Sequence, residues 1–314
     1  MQLIRGRHNL KAPEGGCVAT IGNFDGMHLG HQAVIRQVVE EAGRRGLPAM
    51  LVTFEPLPHE YFAPERQIGR LTTLRRKLDL LEGLGLDYVF CLNFNRSLAR
   101  MPAERFIREI LVDGLQLRHL VVGDDFRFGR GREGDFAMLR EAGERFGFSV
   151  ERTRTLALDG ERVSSTRIRR ALDEGRMDEA ARLLGRRFSF SGRVAHGDKR
   201  GRQIGFHTAN IHLRRGSPVR GVFAVRVLGA DDHPVAGVAN VGRRPTVEGE
   251  RMQLEVHLLD FQGELYGRRL KVELLHRIRD ERRFDSLDAL VEQIHRDVAR
   301  AREFFARHPQ AQAS

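Results

Sequence analysis

Short apolar runs and helically spaced apolar positions alternate along the first half of the chain. Residues 18–21 form an apolar run ending in glycine, and Ala33, Val34, Val38 and Ala42 then recur at helical spacing until Gly46 closes the segment. Residues 49–54 and 88–92 read as two more strands, with Leu74, Leu78 and Leu81 marking a helix between them. Phe106, Ile107 and Ile110 predict another helix before a strand over residues 119–122. Strand–helix alternation of this kind is the signature of a parallel sheet with helices on its faces, an α/β fold. Ligands bind such sheets at the carboxyl ends of the strands, and the glycine-rich loops after Ile21 and Val122 lie there.

After about residue 185 the segments shorten and alternate, with frequent turn residues, as in an antiparallel barrel or sandwich. Residues 222–228, 253–259 and 270–275 read as strands. A final amphipathic helix follows, with Asp285 or Ser286 as its N-cap and Leu287, Leu290, Val291, Ile294 and Val298 as its expected apolar stripe. The expected organisation is two domains, 1–185 and 186–314, without internal repeats.

Composition narrows the classes. The chain has 314 residues, enough for two cores, and a formal net charge of +11 that favours anionic ligands of either kind, nucleic acid or nucleotide. Base stacking on a sheet face needs interleaved aromatics, and with no tryptophan and three tyrosines no such platform is legible, so no nucleic-acid partner is expected. Cys17 and Cys91 sit in apolar runs without zinc or disulfide spacing, which fits buried thiols in a reducing compartment. No signal-peptide core and no run of transmembrane length is present; the expectation is a cytoplasmic protein with no membrane partner, self-association left open.

Two constellations carry chemistry. Residues 22–31 read Gly-Asn-Phe-Asp-Gly-Met-His-Leu-Gly-His, a loop leading into a helix whose N-terminus offers free N–H groups. His28 and His31 there can donate to ATP phosphates, and Gly30 admits a close backbone approach. The lysine of a Walker-type loop is absent, so this is not P-loop chemistry. The run Ser164-Ser165-Thr166-Arg167-Ile168-Arg169 places hydroxyls and arginines before another helix, as plain caps and solvated charge or as phosphate ligands. Together the two segments supply what adenylyl transfer needs, positioning and charge neutralisation.

In the second half, residues 191–210 carry Gly197, Lys199, Gly201 and Gly205, a solvated basic hairpin or a loop that wraps ATP phosphates. Thr208 and Asn210, two apart in extended chain, share a face and offer two hard oxygens to a cation such as Mg²⁺. Alternation in Leu254-Glu255-Val256-His257-Leu258 sets Glu255 and His257 opposite the apolar positions. Glu255 either faces water or serves as general base for a substrate hydroxyl.

Taken in order, these motifs carry a resemblance. Gly-Asn-Phe-Asp-Gly-x-His-x-Gly-His, Thr53-Phe54-Glu55-Pro56, residues 123–129 (GDDFRFG) and Ser-Ser-Thr-x-Ile-Arg resemble the FMN adenylyltransferase module of bacterial bifunctional FAD synthetases, a nucleotidyltransferase fold. The resemblance implies that Gly22, Phe24, Asp25, Gly30 and Asp125 line the nucleotide, while His28, His31, Ser165, Thr166 and Arg169 handle its phosphates. Gly-Phe-x-Thr-Ala-Asn, Val238-Ala239-Asn240-Val241-Gly242, Leu-Glu-Val-His-Leu-Leu-Asp-Phe and Arg279-Asp280-Glu281 resemble the riboflavin kinase family, an antiparallel barrel with a C-terminal helix. This second resemblance implies Mg²⁺ and ATP phosphates at Thr208 and Asn210, Glu255 as base, and Arg279, Glu281 and Phe284 beside the flavin. Riboflavin, FMN and ATP would be substrates and FAD the final product. Two positions depart from the families: Leu57, where histidine is common, and His207, where proline is usual.

Overall fold

Strand β2 (Cys17–Ile21) is buried along its entire length, near the middle of the first sheet. The computed structural model describes residues 1–66, 68–195, 208–213, 217–246 and 249–311. Around β2 lie β1 (Gln2–Arg5), β3 (Ala49–Glu55), β4 (Tyr88–Asn93), β5 (Leu117–Val122) and β6 (Ser149–Arg152), in the order β1–β4–β3–β2–β5–β6. All neighbouring pairs are parallel, as the alternation predicts. A parallel sheet is covered on both faces, so its strands lose the apolar–polar alternation and read as continuous apolar runs. Cys17, Ala19 and Ile21 pack into one apolar layer with Phe90, Ile107, Ile110 and Leu139, while Val18 joins Ile35, Val38, Ala42 and Leu81 in the other.

Helix α1 (Leu29–Arg45) supplies Ile35, Val38 and Ala42 at helical spacing and ends where Gly46 turns into the left-handed region, φ 63°. The first unit also holds α2 (Pro58–Phe62), α3 (Leu74–Leu81), α4 (Arg96–Ala99), α5 (Ala103–Phe106), α6 (Phe136–Phe146) and the short hairpin β7 (Ala157–Leu158) and β8 (Glu161–Arg162). The helix expected around Phe106 changes form: beyond α5 the backbone runs as a π-helical segment over Ile107–Val112, with Ile107, Ile110 and Leu111 buried.

The chain divides into two compact units, one of Met1–Gln67 and Thr72–Val163, the other of Ile68–Leu71 and Ser164–Ser314. The second unit contains α7 (Ser165–Asp173), α8 (Met177–Leu184) and six antiparallel strands: β9 (Ser189–Arg193), β10 (Thr208–Leu213), β11 (Gly221–Leu228), β12 (Val235–Thr246), β13 (Gly249–Leu258) and β14 (Arg269–Arg279). Their order is β10–β13–β12–β11–β14–β9, and a bridge between Ala195 and Asn210 brings the two edges together into a nearly closed barrel. Alternate residues fill its interior: Ala209, Ile211, Phe223, Val225, Ala239, Val241, Leu254 and Val256 are all buried.

Helix α9 (Leu287–Arg307) starts at Ser286, whose Oγ accepts the Ala289 N–H at 3.1 Å. It packs on the outer side of β11, β12 and β14 through Ala301 and Phe305 against Val222, Ala224, Val238 and Leu275. The expected stripe is corrected here. Leu287 is 61 % exposed, Leu290, Val291 and Ile294 are half-buried, Val298 packs against that core as expected, and the fully buried line is Gln293, Asp297, Ala301 and Phe305, spaced four apart. Polar groups take the first half of that line because they meet arginines, as described below. No helix among the described residues is long and apolar enough to cross a membrane.

Cys17 and Cys91 are both buried and are not joined in a disulfide. Burial pushes the Cys17 thiol up from an ordinary 9.0 to about 12. The folded thiol therefore keeps its proton to higher pH than the unfolded one, and unfolding above pH 9.0 releases a proton. The Cys17 contribution is complete below pH 9.0 and is lost between there and about 12. Denaturant titrations should show an alkaline fall in stability that is shallower in Cys17→Ala by up to about 1.4 kcal/mol per pH unit. Equal slopes in the two proteins would count against this burial effect.

Candidate active sites

The loop between β2 and α1 is held in a strained form. Phe24 and Met27 adopt φ of 46° and 45°, a region that costs a non-glycine residue roughly 1–3 kcal/mol. Their side chains are buried in the same apolar layer as Ile35 and Val38, and that burial offsets the strain. Gly22 fits because an added Cβ would meet the Phe24 ring at 3.0 Å. Polar groups latch the loop from below. The Asp25 carboxylate accepts from the Thr72 N–H at 2.9 Å and the Thr72 hydroxyl at 3.2 Å, and the Thr72 Oγ1 in turn accepts the Gly26 N–H at 2.9 Å. Lys77, also buried, donates to the Asn23 carbonyl at 2.6 Å and to Thr53 Oγ1 at 3.0 Å.

His28 is buried and caps α1, its Nδ1 accepting the His31 N–H at 3.2 Å. That bond needs the lone pair on Nδ1, which assigns the proton to Nε2, a donor for an anion. The His31 ring stacks on His28 with centroids 3.5 Å apart, and Phe24 lies 4.8 Å from His31. A Cβ at Gly30 would come within 3.2 Å of the His28 ring, so a bare backbone here keeps the pair in place.

Since β2 pairs with β3 on one side and β5 on the other, the chain reverses direction of winding there, the usual place for a ligand crevice. Asp125, after β5, is exposed and pairs with Arg162 at 3.2 Å. The ends of β3 and β4 carry a feature that sequence reading passed over. Tyr61 (37 % exposed) and Phe62 (64 % exposed) each stand 5.5 Å from Phe94 in edge-to-face contact, an open aromatic surface assembled from two segments. Leu57, one of the two departures, is fully buried at the start of α2, so its side chain serves the core.

At the start of α7 the cap is Ser164, whose Oγ accepts the Arg167 N–H at 3.2 Å. Ser165 and Thr166 occupy the first turn and do not serve as the cap. The two arginines differ: Arg167 is buried in an ion pair with Glu179 at 3.2 Å, while Arg169 donates from Nε to the Gly69 carbonyl at 3.0 Å.

On the barrel, strand register gathers residues that lie far apart in sequence. Glu255 faces Asn210 on one side and Asn240 on the other; Asn240 faces Val222, which faces Arg279. Register partners share a face, so one cross-strand row runs Asn210–Glu255–Asn240–Val222–Arg279. The opposite-face neighbours Leu254 and Val256 are buried inside, as alternation predicts. Thr208 stands opposite His257, one step along the same face from Asn210. Gln253 is buried beside the row; its amide donates to Asn210 Oδ1 and, at 3.3 Å, to Glu255 Oε1. A polar residue two before Glu255 was the signal for it. Glu281 reaches the same surface over Gly242, where an added Cβ would lie 2.1 Å from its Oε1. Only glycine leaves room for that carboxylate.

Arg279, half-buried, closes the row in an ion pair with the buried Asp297 carboxylate. Its Nε lies 3.0 Å from both Asp297 oxygens and its Nη2 lies 2.7 Å from Oδ2, while Nη1 donates to the Asp280 carbonyl. The Arg279 and Arg282 guanidiniums stand 5.7 and 4.8 Å from the Phe284 ring centre. Thus Asn210, Glu255 and Arg279 share one row, with Thr208 and Glu281 adjoining it. Gly197, Lys199, Gly201, Gly205 and the departure His207 lie outside the described residues.

Comparison with known proteins adds the chemistry's context. Residues 10–167 match the FAD synthetase family and residues 184–305 the riboflavin kinase family. The bifunctional riboflavin kinase/FMN adenylyltransferase of Escherichia coli (strain K12) is 54 % identical over 307 residues, covering 97 % of this chain and 98 % of that protein. The protein of the same name from Pseudomonas fluorescens is 52 % identical, covering 98 % of each. A crystal structure from Streptococcus pneumoniae, described as a macrolide-efflux protein, is similar in fold with a TM-score of 0.78 at 30 % identity, over 96 % of this chain and 98 % of that one. At this identity and coverage, the chain belongs to the bifunctional riboflavin kinase/FMN adenylyltransferase family.

Proposed function

We propose that the chain makes FMN from riboflavin and then FAD from FMN, consuming ATP in each step, with the first reaction on the barrel and the second on the parallel sheet. The observation that carries this reading is the cross-strand row: a carboxylate flanked by two amides at one end and an arginine at the other. From Glu255 on β13 to Arg279 on β14 are three strand spacings, about 14 Å. A tricyclic ring bearing a five-carbon polyol chain is of that order of length. Val222 in the middle of the row lies under α9, so the ring sits on the Gly242–Glu281 side of it, near Arg279 and Phe284, and the terminal hydroxyl extends towards Glu255. Glu255 takes that proton as the oxygen attacks the γ-phosphorus of ATP and ADP leaves.

Thr208 and Asn210 offer a hydroxyl and an amide oxygen, hard donors that suit Mg²⁺, and these two residues would hold it. Bound there, the ion would neutralise charge on the ATP phosphates. The Gln253 amide fixes Asn210 Oδ1 and Glu255 Oε1 relative to each other, which supports placing donor and base in one site.

On the parallel sheet, an FMN phosphate oxygen attacks the α-phosphorus of ATP and pyrophosphate departs. His28 Nε2–H, His31 and the first N–H groups of α1 face that anionic chemistry. Gly22, Phe24 and Gly30 shape the loop for ATP, and Asp25 keeps it latched. Asp125 at the end of β5 adjoins the nucleotide, and Tyr61, Phe62 and Phe94 offer a stacking surface to the flavin ring. Ser165, Thr166 and Arg169 carry phosphate contacts on their chemistry alone. We assign the border of the two activities to about residue 185, at the start of the second family match, although packing groups α7 and α8 with the barrel.

Two substitutions separate the steps. Glu255→Ala should lower FMN formation by about 10²–10⁴-fold while FMN-to-FAD conversion stays intact. The paired change His28→Ala and His31→Ala should let FMN accumulate from riboflavin and cut its adenylylation by roughly 10²–10³-fold. Chromatography of the products from riboflavin, ATP and Mg²⁺ reads both. Equal loss of the two activities in either variant would refute a two-site enzyme.

A further inference from the structure

Helix α9 buries two polar side chains, Gln293 (4 % exposed) and Asp297 (2 %), on the line that Ala301 and Phe305 continue. Packing alone does not ask for them. A buried ion pair is generally no more stabilising than apolar residues of similar volume, because each charge loses its hydration. What the pair does provide is orientation. Three contacts hold the Arg279 guanidinium along one edge, and the bond from Nη1 to the Asp280 carbonyl fixes its remaining direction. Gln293 then ties the carboxylate to the other end of the same segment: its Nε2 donates to Asp297 Oδ1 at 2.7 Å, and its Oε1 accepts from Arg282 Nη2.

The result is a chain of hydrogen bonds, Arg282–Gln293–Asp297–Arg279, that grips residues 279–282 at both ends from the helix. Phe284 lies against both guanidiniums. We propose that Asp297, itself fixed by Gln293, is the positioning residue that sets Arg279 and the segment through Phe284 for the riboflavin ring. Neither helix residue need touch the substrate. A guanidinium free to rotate would leave the ring end of the substrate without a fixed seat, whereas the phosphoryl end, built on Thr208, Asn210 and Glu255, would be unaffected. The proposal rests on the barrel being the riboflavin-phosphorylating module.

The test is steady-state kinetics of both reactions in the full chain. Asp297→Asn keeps the shape but loses the charge, and Gln293→Met cuts the link without leaving a buried charge unpaired. Asp297→Asn should raise the KM for riboflavin about tenfold and Gln293→Met about threefold, from weakened charge-assisted bonds to a positioning arginine. The kcat of the kinase, its KM for ATP and the whole of FMN-to-FAD conversion should stay within about twofold, since those contacts lie elsewhere. The double variant Arg279→Met, Asp297→Leu removes both charges; a restored melting temperature with the riboflavin KM still raised separates orientation from folding. An unchanged riboflavin KM in the single variants would overturn the proposal. So would a fall in kcat and a rise in both KM values that track the melting temperature. Should Asp297→Asn fail to fold, Gln293→Met decides alone. Absence of FMN formation by the unsubstituted protein would refute the underlying kinase reading, and that is seen before any variant is made.

Discussion

The pairing of β13 with both β10 and β12 is the constraint on which the second unit depends. Side chains alternate along a strand, so a slip of one residue in either pairing would exchange faces. Glu255 would then enter the barrel, and Leu254 and Val256 would be turned to water. The apolar filling therefore fixes the register, and the register in turn fixes the polar row outside. Asn210, Glu255 and Asn240 meet because Ile211, Leu254 and Val241 must pack. Function on this barrel is a by-product of a core that tolerates only one alignment.

The parallel sheet solves a different problem. Its strands end together, and the loop after β2 has to turn sharply to deliver His28 to the first turn of α1. Two non-glycine residues with positive φ carry that turn, and their side chains are sunk in the core as its anchors. Strain in the loop and burial beneath it are one arrangement. Asp25 and Lys77 add polar ties from Thr72 and to Asn23, so the loop that carries the histidines is held by its own contacts.

Much of this was legible in the sequence, for physical reasons. Buried parallel strands are continuous apolar runs, and a barrel strand such as 253–259 announces its faces by alternation, so fold class and the side of Glu255 could be read directly. Pairing partners could not. Nothing local links Val222 to Arg279, or Gly242 to Glu281, because register is a property of the whole barrel. The apolar stripe expected for α9 erred for a related reason. Leu287, Leu290, Val291, Ile294 and Val298 are the more apolar line, yet Gln293 and Asp297 are buried in preference because arginines from β14 and the segment after it await them. Periodicity counts hydrophobic residues, and it cannot see a charge that has a partner elsewhere.

That exception bears on how the net positive charge should be understood. Many arginines are committed to partners: Arg167 to Glu179, Arg226 to Glu273, Arg279 to Asp297 and Arg302 to Asp260. Exposed pairs of this sort add little stability, and Arg302 with Asp260 is one of them. The more buried ones act as geometry: Arg279 is held along the edge of Asp297, and Arg226 donates from two nitrogens to one Glu273 oxygen. An excess of +11 thus divides into a diffuse field that attracts anions and a few cations fixed in place by carboxylates. The field is a matter of composition and could belong to a nucleic-acid binder as easily as to an enzyme. The fixed cations distinguish the two. A surface that must slide along a polyanion has no use for an arginine clamped under a helix, whereas a site that must seat one ring in one orientation does.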